Sequence, residues 1–119
     1  MHRLRLLGLT AVIAALTACA SAPKPESQIS SSEGAIRGAS EAGAANVPKA
    51  TLHLRLAQEQ RDQAMALIAD GENGRARMVL ARSEADAELA IALSRQASAE
   101  REAGTANEKV EELEKKVQQ

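Results

Sequence analysis

Small and apolar residues recur along most of this chain in steps of three and four, the spacing of one helical face. In "SSSEGAIRGASEAGAA", Ala35, Ile36, Ala39 and Ala42 share such a face. Ser30, with Glu33 three positions on, fits a capping box and predicts a helix over 30–45. Gly34, Gly38 and Gly43 weaken it by up to about 1 kcal/mol each where interior, and they also let another helix approach closely. "NVPK" interrupts the pattern, with Asn46 suited to a cap and Pro48 to the first turn of a new helix. A second helix is predicted from Pro48 to Ala69. Ala50, Leu54, Ala57, Ala64 and Ile68 lie on one side of it, and Leu52, Leu56 and Leu67 widen that side. "DGENG" at 70–74 is a turn, because Gly71 and Gly74 tolerate positive φ while Asp70 and Asn73 favour turn or cap roles.

From Arg75 to Val117 there is no Pro and only one Gly, at 104. A helix over that span would be about 64 Å long, against about 33 Å for the second. The third helix must therefore outrun its neighbour. It carries a seven-residue beat: Ala85, Leu89, Ala92, Gln96, Ala99, Ala103, Ala106, Val110, Leu113 and Val117 alternate in steps of four and three, as in a coiled-coil seam. A second strip, Ala76, Leu80, Ala87, Ala90 and Ala97, lies beside it. Two strips in the first half predict burial against two helices. One strip in the last half predicts a single partner or none. In the tail, "NEKVEELEKKVQQ", Glu111 can reach Lys115 and Glu112 can reach Lys116, each worth a few tenths of a kcal/mol, about 0.2–0.5. The tail reads either as a solvated helix or as a dimer seam.

The expected fold class is all-α. An antiparallel helical hairpin or three-helix arrangement leads into a long coiled-coil-like C-terminal helix, and a signal helix precedes it. Composition sharpens this picture. Ala supplies 26 of 119 residues, and Phe, Tyr and Trp are absent. Helix propensity is high, but each buried Ala contributes little apolar area, so close-packed helices around a thin core are the natural use of such a chain.

The N-terminus has its own pattern. "MHRLRLLGLTAVIAALTAC" begins with Arg3 and Arg5 and continues with an apolar stretch from Leu6 to Leu16, the layout of a secretory signal. The stretch is shorter than the roughly 20 residues that span a bilayer. Leu16-Thr17-Ala18-Cys19 resembles the lipobox of bacterial lipoproteins position by position, and Cys19 is the only cysteine. The resemblance implies cleavage before Cys19, a diacylglyceryl group on its sulfur and an acyl chain such as palmitate on the new amino group. Two or three chains make the anchor stable where one is marginal. In Gram-negative members of that class Asp after the Cys retains the protein in the inner membrane. Ala20 therefore implies the outer membrane, with the domain in the periplasm. "ASAPKPESQ" then reads as a flexible tether. The expected organisation is a signal peptide at 1–18, lipidated Cys and linker at 19–29, an Ala-rich helical domain at 30–97 and a charged helical extension at 98–119.

Net charge is −1 for the full chain and −3 once the segment with Arg3 and Arg5 is removed. There is no basic patch with interleaved aromatics, so nucleic acid is not an expected partner. A lone Cys makes neither an internal disulfide nor a metal cluster. His53, the one His beyond the signal, is expected as a partly exposed helix residue, not a ligand. Glu84, Asp86 and Glu88 are read as a solvated acidic face, with Asp86 pointing away from the other two. Arg75, Arg77 and Arg82 are read as surface charges, and "GENGR" lacks the Lys and Ser/Thr of a phosphate loop. No catalytic set, cofactor, metal or small-molecule substrate is expected.

The run from Leu54 to Ala97 resembles the DUF4398 family of small bacterial envelope lipoproteins. Leu56-Ala57, Ala64, Gly71, Ala76, Leu80-Ala81 and Asp86-Ala87-Glu88-Leu89-Ala90 carry the resemblance, which is expected to cover residues 30–97. It implies a helical packing pattern and brings no catalytic residues. The chain is also similar to murein lipoprotein in joining a lipidated Cys to heptads. It ends in Val117-Gln118-Gln119 where that protein has its wall-linking Lys, so covalent attachment to peptidoglycan is not expected. The functional expectation is a non-enzymatic outer-membrane lipoprotein, held to the membrane through Cys19. It acts as a structural element or protein-interaction adaptor through the seam of Ala85, Leu89, Ala92, Ala103, Val110, Leu113 and Val117, either with an envelope protein or with itself. The alternative is a module that binds peptidoglycan or lipopolysaccharide without covalent linkage.

Overall fold

A computed structural model describes residues 22–119. The signal at 1–18 and Cys19 lie outside the described residues. Three α-helices make up the fold: α1 (Glu26–Glu41), α2 (Pro48–Ala69) and α3 (Asn73–Val117), with a 3₁₀ turn at Ala44–Asn46 between the first two. Among the described residues there is no strand.

The sequence pattern locates α2 at both ends, because Pro48 opens it and Gly71 closes it. Gly71 adopts φ 79. Its N–H donates to the Ile68 carbonyl at 3.0 Å, and the Glu72 N–H donates to the Leu67 carbonyl at 2.8 Å. This pair of bonds is a Schellman closure, which a residue at positive φ makes possible. The N-cap of α2 is Val47, not Asn46, and no side chain caps it. The Thr51 hydroxyl ties the 3₁₀ turn to the first turn of α2, donating to the Ala44 carbonyl at 2.8 Å with that of Val47 at 3.0 Å.

α1 starts four residues before the expected Ser30. Pro25 is its N-cap, is buried, and accepts the Ile29 N–H at 3.0 Å. Proline's fixed φ suits a helix start, and Ile29 reaches a cluster formed with Ala64, Ala76 and Leu80. Ser30 is thereby carried inside the helix, and the capping box does not form. Residues 22–25 are also not a free tether at their far end, since the Asn73 amide donates to the Ala22 carbonyl at 2.7 Å.

The helices run up, down and up. Ala22 meets Asn73, Ser32 meets Ser83 and Gly38 faces Ile91, so α1 is parallel to α3 and antiparallel to α2. The core has two apolar ends. Ala39, Ala44, Ala50, Leu54 and Ala90 pack near the α1–α2 connection, and Ala64, Ala76 and Leu80 pack near the α2–α3 turn. Leu80 is the one large aliphatic side chain that is fully buried among the described residues. Alanine methyls do most of the rest, each removing little surface from water but letting backbones approach.

α3 continues past the bundle. From Ala99 onward every residue is exposed. The bundle ends where Val47 and Pro48 meet Ala97 and Glu100, and the last five turns or so of α3 stand free. A Cβ at Gly104 would meet nothing within 4 Å. Gly104→Ala therefore removes only backbone freedom. We expect it to stabilise the tail helix by about 0.5–1 kcal/mol, read as slower amide exchange over 98–117 with the bundle unchanged.

Candidate interaction surface

α3 buries one strip and exposes another. Ala76, Leu80, Ser83, Ala87, Ala90 and Ser94 are the buried positions. The residues that continue the apolar beat into the tail lie two positions on: Ala85 after Ser83, Leu89 after Ala87, Ala92 after Ala90 and Gln96 after Ser94. At about 100° per residue, two positions are about 200°, so this strip faces away from the bundle. The expectation that α3 buries both strips in its first half is thereby corrected. α1 and α2 share one strip, flanking it from either side, and Ala85, Leu89 and Ala92 face solvent. The free half follows the same rule: Ala103 is exposed, as are Val110 (53%), Leu113 (61%) and Val117 (86%). The seven seam residues therefore form one continuous outward stripe, none of it used in the intramolecular core.

Two polar contacts set the register of the helices beneath this stripe. Ser83 donates its hydroxyl proton to the Ala57 carbonyl at 2.7 Å. A hydroxyl has one proton, so the 2.7 Å bond between Ser32 and Ser83 has Ser32 as donor. One buried junction thus ties α1, α2 and α3 between the two apolar ends of the core. Removing the Ser83 hydroxyl leaves that of Ser32 buried without its acceptor. We expect Ser83→Ala to cost about 1–3 kcal/mol, and Ser32→Ala with Ser83→Ala to cost less than the sum of the two; urea titrations in a double-mutant cycle read the difference.

The second contact is at Asp86, on the α2 side. His53 Nδ1 lies 2.8 Å from one carboxylate oxygen, and the Gln60 amide donates to the other at 2.8 Å. Asp86 therefore does not belong to a solvated acidic face; it is turned into the α2–α3 interface, while Glu88 remains exposed and Glu84 half-buried. The antiparallel hairpin explains this. Ala57 and Ser83, Ala64 and Ala76, and Ala50 and Ala90 are each equidistant from Asp70, and His53 and Asp86 are nearly so. Reflecting the sequence about the turn would have found the pair. Ser83 and Ser94 were also legible as polar members of the buried beat. Nothing in the pattern announced the bond between Asn73 and Ala22, which joins an irregular segment to a helix start.

Of the other charged candidates, Arg75 pairs with Glu72 one turn away, and Arg77 and Arg82 are exposed. In the tail Lys116 reaches Glu112 at 2.6 Å. Among the described residues no group of three or more His, Cys, Asp or Glu side chains is placed to hold a metal ion. None of the described helices is long and apolar enough to cross a membrane.

The family described as Domain of unknown function (DUF4398) matches residues 27–117. The chain belongs to the DUF4398 family. No curated protein and no solved structure matches it. The DUF4398 match is wider than the 30–97 expected from the residues that carried the resemblance, and it takes in all of α2 and α3. The free-standing half of α3 is thus part of the DUF4398 unit and not an appendage to it. The match begins one residue into α1, in keeping with a helix that starts at Glu26 and not at Ser30.

Proposed function

We propose that this DUF4398 chain is a non-enzymatic lipoprotein of the bacterial outer membrane that works in the periplasm as a structural element or adaptor, with the outward stripe of α3 as its protein-binding surface. One observation carries the reading: the anchor end and the free helix are at opposite ends of the molecule. Ala22 is three residues past Cys19, and its carbonyl is fastened to Asn73 at the α2–α3 turn. A lipid on Cys19 would therefore hold that turn at the membrane surface. The free part of α3 leaves from the other end, and Val110 lies about 55 Å along the helix from Asn73 at 1.5 Å per residue. Such a device carries an exposed apolar strip well clear of the membrane, which is where an adaptor needs it. The lipobox of Leu16-Thr17-Ala18-Cys19 supports the anchor, and Ala20 supports the outer membrane.

The test is made in cells, with a photo-crosslinking residue placed at Leu113 on the stripe or at Lys115 off it, with and without Cys19→Ser. The adaptor reading expects a discrete protein adduct from Leu113, a much weaker one from Lys115, and transfer of the chain from the membrane to the soluble fraction when Cys19 is replaced. Equal and diffuse labelling from both positions would overturn the stripe, and unchanged fractionation of Cys19→Ser would overturn the anchor.

A further inference from the structure

The stripe carries information about what covers it. Written as heptads, its a positions include Ala103, Val110 and Val117 and its d positions Ala99, Ala106 and Leu113. β-branched residues at a with Leu at d favour two strands over three or four. Gln96 falls at an a position, where a single polar residue fixes register at some cost in stability. We propose that the stripe pairs with the same stripe of a second copy of this chain, as a parallel, in-register two-stranded coiled coil. This rests on the reading of the stripe as the interaction surface and names its partner.

Charge complementarity selects both the partner and the direction. The flanking g positions are Arg95, Glu102, Lys109 and Lys116, and the e positions are Glu100, Asn107 and Glu114. In a parallel pair each g residue faces the e residue five positions on in the other strand. Arg95 then meets Glu100 of the second copy, Lys109 meets Glu114 and Glu102 meets Asn107, with no like charges opposed. Antiparallel registers do worse. The one that sets Leu113 over Ala103 pairs Glu102 with Lys116 but opposes Glu100 to Glu114 and Lys109 to its own counterpart. Shifting by one heptad opposes Lys109 to Lys116, or pairs Glu102 with Lys109 while opposing Arg95 to Lys116.

Two further observations agree. The stripe lies about 200° around α3 from the bundle contacts, so a second helix fits along it without displacing α1 or α2. The free segment also needs support. Helices in proteins draw most of their stability from packing, and from Ala99 onward this one has none within the chain and contains Gly104. A parallel pair further sets both α2–α3 turns on the same side, where two chains anchored in one membrane must have them.

The test uses the full chain in isolated membranes and a short bis-maleimide. Leu113→Cys is compared with Lys115→Cys, and the unsubstituted chain gives the baseline. Self-pairing expects a product of twice the monomer mass from Leu113→Cys, at least fivefold above Lys115→Cys. In the Leu113→Cys background, Lys109→Glu should lower that yield at least fivefold, because it sets a carboxylate opposite Glu114 of the second copy. Adding Glu114→Lys should restore it to within twofold. Because these residues lie outside the bundle, circular dichroism of each variant should keep the bundle's melting transition. Equal yields from the two cysteine positions, or no rescue by the double charge reversal, would overturn self-pairing. A photo-adduct of Leu113 with a different protein, together with equal yields here, would overturn self-pairing while leaving the adaptor reading standing.

Discussion

Leu80→Ala is expected to come close to unfolding the bundle. Leu80 is fully buried, at 0% exposure, and sits on Ala64 and Ala76, with Ile29, Leu67, Ile68 and Val79 around it. Truncating a buried Leu costs about 2–5 kcal/mol, rising with the cavity left behind. In most domains that is one loss among many large side chains. Here Ala64 and Ala76 cannot swing in to fill a gap, and Ile29, Leu67, Ile68 and Val79 around them can close it only in part, so a loss of about 3–4 kcal/mol is expected. A small domain has about 5 kcal/mol or a little more to lose, and each kcal/mol moves its melting temperature by about 4–8 °C. Far-UV circular dichroism should register a fall of about 15 °C or more. A shift below about 5 °C would mean that the three helices are held by something other than this contact.

The second large effect is on binding and leaves the fold alone. With Leu89→Asp and Leu113→Asp together, partner capture should be lost while the melting curve of the bundle stays within about 0.5 kcal/mol of the unsubstituted chain. Both side chains are exposed, at 43% and 61%, so neither substitution buries a charge in the folded monomer. In a complex each would. A carboxylate buried at a helix seam without a partner costs several kcal/mol, roughly 3–5 for an uncompensated charge, so two amount to loss of most moderate affinities. Capture retained by the doubly substituted chain would move the search to the polar faces of the bundle and to envelope polymers.

The helices were legible because helix formation here is a matter of periodic small residues and two unambiguous punctuation marks. Pro48 and Gly71 act through their own backbone chemistry, φ fixed in one and free in the other, so α2 could be read to the residue. α1 was less legible, since Ser30 offered a plausible cap, and extension of the helix back to Pro25 depends on Ile29 finding an apolar pocket in a helix about 50 residues away. The stripe on α3 was visible as a beat, but its direction was not. Two alanine-bearing strips about 200° apart look alike in sequence, and what separates them is Leu80 and the two buried serines on one side against Val110, Leu113 and Val117 on the other. Asp86 shows the same limit. Three acidic residues in five positions look solvated until the hairpin brings His53 and Gln60 opposite the middle one.

In the cell, the exposed stripe of α3 is expected to be covered by protein. Residue-resolved amide hydrogen exchange, on the full chain kept in its own membranes, tests this most directly. Strong protection is expected over 98–117, lost when Leu89 and Leu113 are both replaced by Asp, with protection over 26–97 the same in both chains. Exchange over 98–117 at the rate of a fraying, solvated helix in both chains would contradict it.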